Sequence, residues 1–380
     1  MGFGVVLPVF PFWGRALGAE PAAITVALGA FSLGQFVGAP FWGRLSDRLG
    51  RRPVLLLSLA GGALSYLWMA FASDLWSLGL ARLFGGLMAG NIAVAFAYVG
   101  DVTTDAERPR AMGHLGAAFG LGFIFGPAVG GLVAGAAPGP GDFARVAWVA
   151  AGIAAAAALL VWRQLPESLG RARRQAMSAL RRGPSARAVL AAKPAVAALM
   201  AVAFLVIGSA AMMETTFALF AADRLDWSPR DVGLAFGLVG IVSASVQAGG
   251  AAPLARLFGP QRVALGGICL YAAGLAGLAL AADVLPVLVA LAVTAAGVGA
   301  FNPAFQTLVA ALADDGDRGL VNGLAQGASA MGRIVGPAVS GSVFQSLGPQ
   351  SPFLIGAALM LLALAVAAGA GRMGRLKGVA

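Results

Sequence analysis

The chain has 380 residues, of which 59% are hydrophobic and only 11% charged, with a mean hydropathy of +0.85. So few charges cannot cover a water-exposed surface, which excludes a soluble globular domain and predicts an all-α, polytopic integral membrane protein in a lipid bilayer. The net charge of +10 sits in short loops between apolar runs, which excludes a nucleic-acid partner; a single cysteine (Cys269) and a single histidine (His114) exclude an intrachain disulfide and a His/Cys metal site.

Breaks at charge, proline and glycine divide the chain into twelve apolar spans near 1–14, 22–42, 53–72, 75–98, 112–136, 144–162, 194–221, 231–252, 263–282, 284–311, 320–346 and 351–370. About twenty helical residues cross a hydrocarbon core of ~30 Å. The 55 glycines suit helices that approach closely in lipid. Span 1 is the exception, because about 14 residues before Arg15 make only ~21 Å of helix. The first helix is therefore read as truncated, by a deletion or a late-assigned start, and in-frame apolar codons are expected upstream.

Between spans 2 and 3 stands GRLSDRLGRRP (43–53), with Arg44, Arg48, Arg51 and Arg52 around Asp47. Arginines beside a span fix its orientation. Asp47 needs another reason, as do Gly43 and Gly50, which permit a tight turn. Span 4 carries Arg82 about two turns from its start, and Asn91 further on. In span 5, GHLGAAFGLGFIFGPAVGG (113–131) is a small-residue seam with Pro127 expected to kink it. The longest polar stretch, 163–193, sets eight basic residues against one acid, Glu167. It divides the chain into halves 1–162 and 194–380, and its amphipathic middle is expected on the membrane surface.

Span 7 holds Glu214, the one carboxylate well inside an apolar span, ~30 Å of helix from Pro194. Carboxylates there are costly and by default functional. Glu214 is a candidate proton carrier; a structural ion pair with Arg333, alone in the middle of span 11, is the other reading. Met213 and Phe217 on the same span make either an adaptable cavity wall or plain packing. Span 10 adds Asn302 and, one turn on, Gln306. Loops on one side, together with the C-terminus, hold 20 of the 26 Lys and Arg, so that side and both termini are expected in the cytoplasm.

The ten residues 122–131 (GFIFGPAVGG) and 332–341 (GRIVGPAVSG) match at seven positions with an offset of 210. Both lie at the fifth span of their half. A parallel duplication of a six-span unit allows two halves to rock about a central site and expose it alternately.

The charged connection resembles the loop signature of the major facilitator superfamily, through Gly43, Leu45, Asp47, Arg48, Gly50, Arg51 and Arg52. Span 5 resembles that superfamily's antiporter signature, filled by Gly113, Gly122, Gly126, Pro127, Gly130 and Gly131. LARLFGGLMAG (80–90) resembles its helix 4 signature at Arg82, and LPVFP (7–11) the helix 1 signature of its twelve-helix drug:proton antiporters. The group it is most similar to contains the bacterial tetracycline/proton antiporters. Their aspartate early in helix 1 has no counterpart here, and the second-half version of the loop, GAAPLARLFGPQRV (250–263), lacks the aspartate.

The resemblance implies a major facilitator fold with two pseudo-symmetric six-helix bundles around a central cavity. It implies proton-coupled export of small amphipathic compounds or drugs, powered by the proton gradient without a cofactor, in a bacterial inner membrane, with a monomer expected. Asp47 is then a latch at the start of helix 11 and Arg51 pairs with Asp101. Arg82 and Arg333 join Glu214 as proton-coupling candidates, and Asn91, Asn302, Gln306, Met213 and Phe217 as cavity candidates. A metabolite exporter or symporter of the same fold is the alternative within transport, and a non-transporting receptor or scaffold the alternative outside it. No nucleophile–base pair or metal cluster suggests an enzyme.

Overall fold

The computed structural model describes residues 2–104, 106–169, 186–314 and 317–373, and every regular element among them is helical. The elements are α1 (Gly2–Val6), α2 (Phe10–Ala16), α3 (Pro21–Leu49), α4 (Arg51–Ala70), α5 (Leu75–Ala89), α6 (Ile92–Val102), α7 (Arg108–Ala134) and α8 (Pro140–Gln164). Then follow α9 (Ala186–Ala192), α10 (Pro194–Leu225), α11 (Pro229–Ser245), a π-helical turn (Val246–Gly250), α12 (Ala251–Phe258), α13 (Pro260–Leu280), α14 (Val284–Leu312), α15 (Arg318–Leu347) and α16 (Ser351–Met373). The amphipathic middle expected in the linker lies outside the described residues.

Among the described residues ten helical stretches are long and apolar enough to cross a membrane, two fewer than the twelve expected spans. The first expected span is two short helices, interrupted at Leu7–Val9 around Pro8, with Pro11 in the first turn of α2. The eleventh, α15, is long enough at 30 residues but carries Asn322, Gln326, Ser329 and Arg333, which lower its hydropathy. Span 4 is also broken, at Gly90, whose missing side chain lets it stand against the backbone of Gly38 in α3.

Chain contacts divide the protein into two units, Met1–Arg181 with Ser228–Leu234, and Arg182–Trp227 with Ala235–Ala380. In the first, α3 lies along α5. A methyl group on Gly34 or Gly86 would collide with the backbone of the facing helix, at Leu83–Leu87 and at Phe31 respectively. In the second, α13 and α14 meet the same way through Gly267 and Gly297. Lipid tails are as apolar as leucine, so such contacts are held by close van der Waals packing, which glycine permits. Trp68, Phe71 and Trp76 are exposed where α4 ends and α5 begins, and indole and phenyl rings favour the membrane–water interface.

The repeated glycines play matching parts in the two units. A methyl on Gly4 of α1 would stand 3.2 Å from both Gly122 O and Gly126 Cα of α7. In the second unit a methyl on Gly332 or Gly336 of α15 would press on Gly208 of α10, at 2.7 and 2.5 Å. Each duplicated stretch therefore seats the first span of its own half. Gly130 likewise meets Val5, while Gly131 and Pro127 O face the start of α11, at Pro229 and Gly233. Gly113 has open space around it, and α7 continues through Pro127 as one helix.

Candidate functional site

The charged connection is not a loop. α3 extends through Asp47 and Arg48 to Leu49, and α4 starts at Arg51, so Gly50 alone turns the chain. Its φ of 109° is one that side chains other than glycine rarely adopt. Gly43, expected at a turn, lies inside α3. The second half repeats the device, with Gly259 at φ 81° between α12 and α13.

This junction buries Arg51 and surrounds it with acceptors. Its Nη1 donates to Ser46 Oγ at 2.6 Å and Asp47 Oδ1 at 2.7 Å, and its Nε to Asp101 Oδ2 at 3.1 Å. Asp101 ends α6, so the ends of spans 2 and 4 are tied to the start of span 3. Arg48 stands exposed in the last turn of α3, where the helix dipole favours a cation.

The fourth element is one that sequence reasoning missed. Glu167, taken as the lone acid of a basic linker, turns back onto α4. Its Oε1 accepts from Arg51 N at 2.9 Å and its Oε2 from Arg52 N at 3.2 Å. A carboxylate here satisfies orphan N–H groups of the helix start and meets its partial positive charge. Ser168 Oγ donates to Asp101 Oδ2 at 3.4 Å, and Arg52 Nη2 to Trp162 O at 2.6 Å. Trp42, Val54, Leu55 and Val94 form the buried apolar cluster of this region.

Arg82 is only 1% exposed, so its side chain does not snorkel to the surface. Its guanidinium carbon lies 4.6 Å from the ring centre of Phe31, 5.2 Å from Phe3 and 5.7 Å from Phe10. Among the described residues Nε and Nη2 have no hydrogen-bond partner. The faces of three rings thus offset part of the desolvation of the charge, each at about 2 kcal/mol when dry.

In the second unit, Glu214 on α10 interacts electrostatically with Arg333 on α15 and with Tyr271 on α13. The Gly208–Gly332 contact brings the two helices together, and Thr215 Oγ1 and Ser340 Oγ are 3.2 Å apart across the same seam.

The cavity candidates separate. Asn91 Nδ2 donates to Ser58 Oγ at 2.6 Å. Met213 and Phe217 are buried, and Phe217 packs on Phe220, Trp227 and Phe236. Asn302 is half-buried and Gln306 exposed on α14. His114 is exposed on α7, and among the described residues no group of His, Cys, Asp and Glu could hold a metal ion.

A second missed cluster closes the far end of the linker. Lys193 Nζ donates to Leu312 O at 3.0 Å, Asp314 Oδ2 at 2.6 Å and Asp317 Oδ2 at 2.7 Å. Hydrogen bonds to the two carboxylates hold the Lys193 ammonium above its ordinary range, and the bond from Lys193 holds the Asp317 carboxyl below its own.

The sequence model of the Major Facilitator Superfamily matches residues 1–252 and 246–372. Tetracycline resistance protein, class C, of Escherichia coli is 31% identical over 374 residues, covering 96% of this chain and 92% of that protein. Multidrug resistance protein 2 of Bacillus subtilis is 29% identical over 372 residues, 96% of this chain and 90% of that one. Among solved structures, the human organic anion transporter MFSD10 (TETRAN) aligns with a TM-score of 0.70 at 25% identity, over 96% of this chain and 95% of that one.

Proposed function

This chain belongs to the major facilitator superfamily, and on that premise we propose that it is a proton-driven exporter of small amphipathic compounds. Two six-span halves, 1–162 and 194–380, alternate in opening a central site, with both termini in the cytoplasm. The observation that carries the proton coupling is Glu214. It is a carboxylate inside an apolar span, electrostatically coupled to Arg333 across the α10–α15 seam. Ionised, it balances the guanidinium; protonated, it leaves that charge uncompensated. A proton taken up on one side of the membrane and released on the other thus changes the energy of the seam, and so the populations of the states that expose it. Arg82, fixed among three rings, supplies a constant charge in the first half.

In this reading Asp47 is the latch, at the start of helix 11. The Arg51 cluster ties the ends of spans 2 and 4, the start of span 3 and the segment after span 6 together, and leaves Asp47 half exposed at its rim. The names of the tetracycline and multidrug resistance relatives extend to this chain as a substrate class, drug-like amphipathic molecules.

The test is transport by the purified chain in liposomes. Glu214→Gln is expected to abolish efflux driven by a pH gradient and to retain counterflow exchange, which needs no net proton movement. Full pH-driven efflux by Glu214→Gln would overturn the coupling.

A further inference from the structure

The second unit contains an apolar slot that the transport reading does not use. It is bounded by the N-terminal ends of α10 and α13 and the C-terminal ends of α14 and α16, through residues such as Ala198, Val202, Ile268, Leu308 and Ala367. Its empty space, with the open mouth, is ≈ 600 Å³. Its α14 wall runs from Phe301 to Leu312, about 16 Å of helix, close to half of a ~30 Å hydrocarbon core. That is a length suited to one extended hydrocarbon chain in one leaflet.

Its single polar lining side chain, Gln261, stands in the first turn of α13. Arg262 follows it directly, and Arg256 lies in the last turn of α12; both are exposed, and among the described residues neither has an ion-pair partner. α12 also exposes Leu254, Leu257 and Phe258, with Leu257 at 75%. A short helix presenting apolar side chains beside an arginine suits the boundary between headgroups and acyl chains. The apolar depth thus ends at Gln261, and the two unpaired cations flank that residue in the chain.

We propose that this path binds one anionic phospholipid, with an acyl chain in the slot and the phosphate at Gln261, Arg256 and Arg262. The bilayer supplies such a chain at the depth where the slot lies. A headgroup alone would leave the apolar length empty.

The experiment is native mass spectrometry of the full chain, delipidated and then titrated with phosphatidylglycerol or phosphatidylcholine of identical chains. One phosphatidylglycerol is expected to remain bound at least tenfold more tightly than phosphatidylcholine. Arg256→Gln with Arg262→Gln is expected to remove that preference while leaving weak binding of both lipids. Leu308→Trp, which fills the slot, is expected to remove retention of both, and Ala198→Leu is the milder slot variant should Leu308→Trp fail to fold. Glycerol phosphate, the headgroup without chains, is expected not to compete. Equal retention of the two lipids by the unaltered chain would overturn the proposal. So would a phosphatidylglycerol preference that survives in the arginine variant, competition by glycerol phosphate, or displacement by tetracycline.

Discussion

Replacing Asp101 with asparagine removes the more buried of the two carboxylates on Arg51. The Arg51 and Asp101 side chains are 6% and 9% exposed, whereas Asp47 is 43% exposed. Breaking one side of a buried pair leaves a charge without compensation and costs about 3–5 kcal/mol. Arg51 keeps Ser46 and Asp47, so we expect the low end, about 3 kcal/mol, or two decades in the unfolding equilibrium. Asp47→Asn is expected to cost about 1 kcal/mol or less, because water screens a half-exposed pair. Arg51→Met added to Asp101→Asn is expected to recover most of the loss, since it removes the stranded charge. The assay is equilibrium unfolding in mixed micelles with increasing dodecyl sulfate, followed by tryptophan fluorescence. An Asp47→Asn cost equal to or above that of Asp101→Asn would refute the burial argument, as would a double variant no more stable than Asp101→Asn alone.

Glu167→Ala is expected to lose about 1 kcal/mol, the size of a helix N-cap, with Glu167→Gln losing less; unfolding in the same micelles ranks them. Gly86→Ala is expected to disrupt assembly of the first unit, because its new methyl meets Phe31 O, whereas Gly62→Ala on α4 meets nothing within 4 Å and is expected to be silent; the yield of monodisperse protein separates the two. The Lys193 cluster sets a pH signature. Asp317 is held below its ordinary range, so its contribution is full above the unfolded value of ~3.9 and is lost as pH falls through the folded one. Lys193 is held above its range, so its contribution is full below ~10.4 and is lost at higher pH. The stability difference between the unaltered chain and Lys193→Met should therefore be flat near neutrality and shrink towards both extremes in a pH series of thermal unfolding.

Much of the architecture was legible in the sequence because hydropathy over twenty residues is a local property. The membrane class, the span order and the duplicated glycine stretch all came from composition and offset. The two spans outside the ten show the limit of that signal. α15 is a full-length helix whose polar residues lower its hydropathy, and the first span is interrupted at Pro8. The connection at 43–53 was legible as special but not as a helix–helix junction, because charged residues inside a helical turn look the same in sequence as charged residues in a loop. Only the φ of Gly50 distinguishes them.

The site was legible in its parts and not in its pairings. The sequence by itself determined that Arg51, Asp47 and Arg82 were exceptional, since charges at or within membrane spans are costly wherever they fold. It had no means to show that Glu167, 115 residues beyond Arg52, caps α4, or that Lys193 holds Asp314 and Asp317. A carboxylate in a basic linker has the same signature whether it is solvated or docked. Nor did it foretell that the repeated glycines seat the first span of their own half, or that four helix ends enclose an apolar slot. Those outcomes depend on which surfaces meet when elements far apart in the chain converge, and close packing, rather than hydropathy, selects among them.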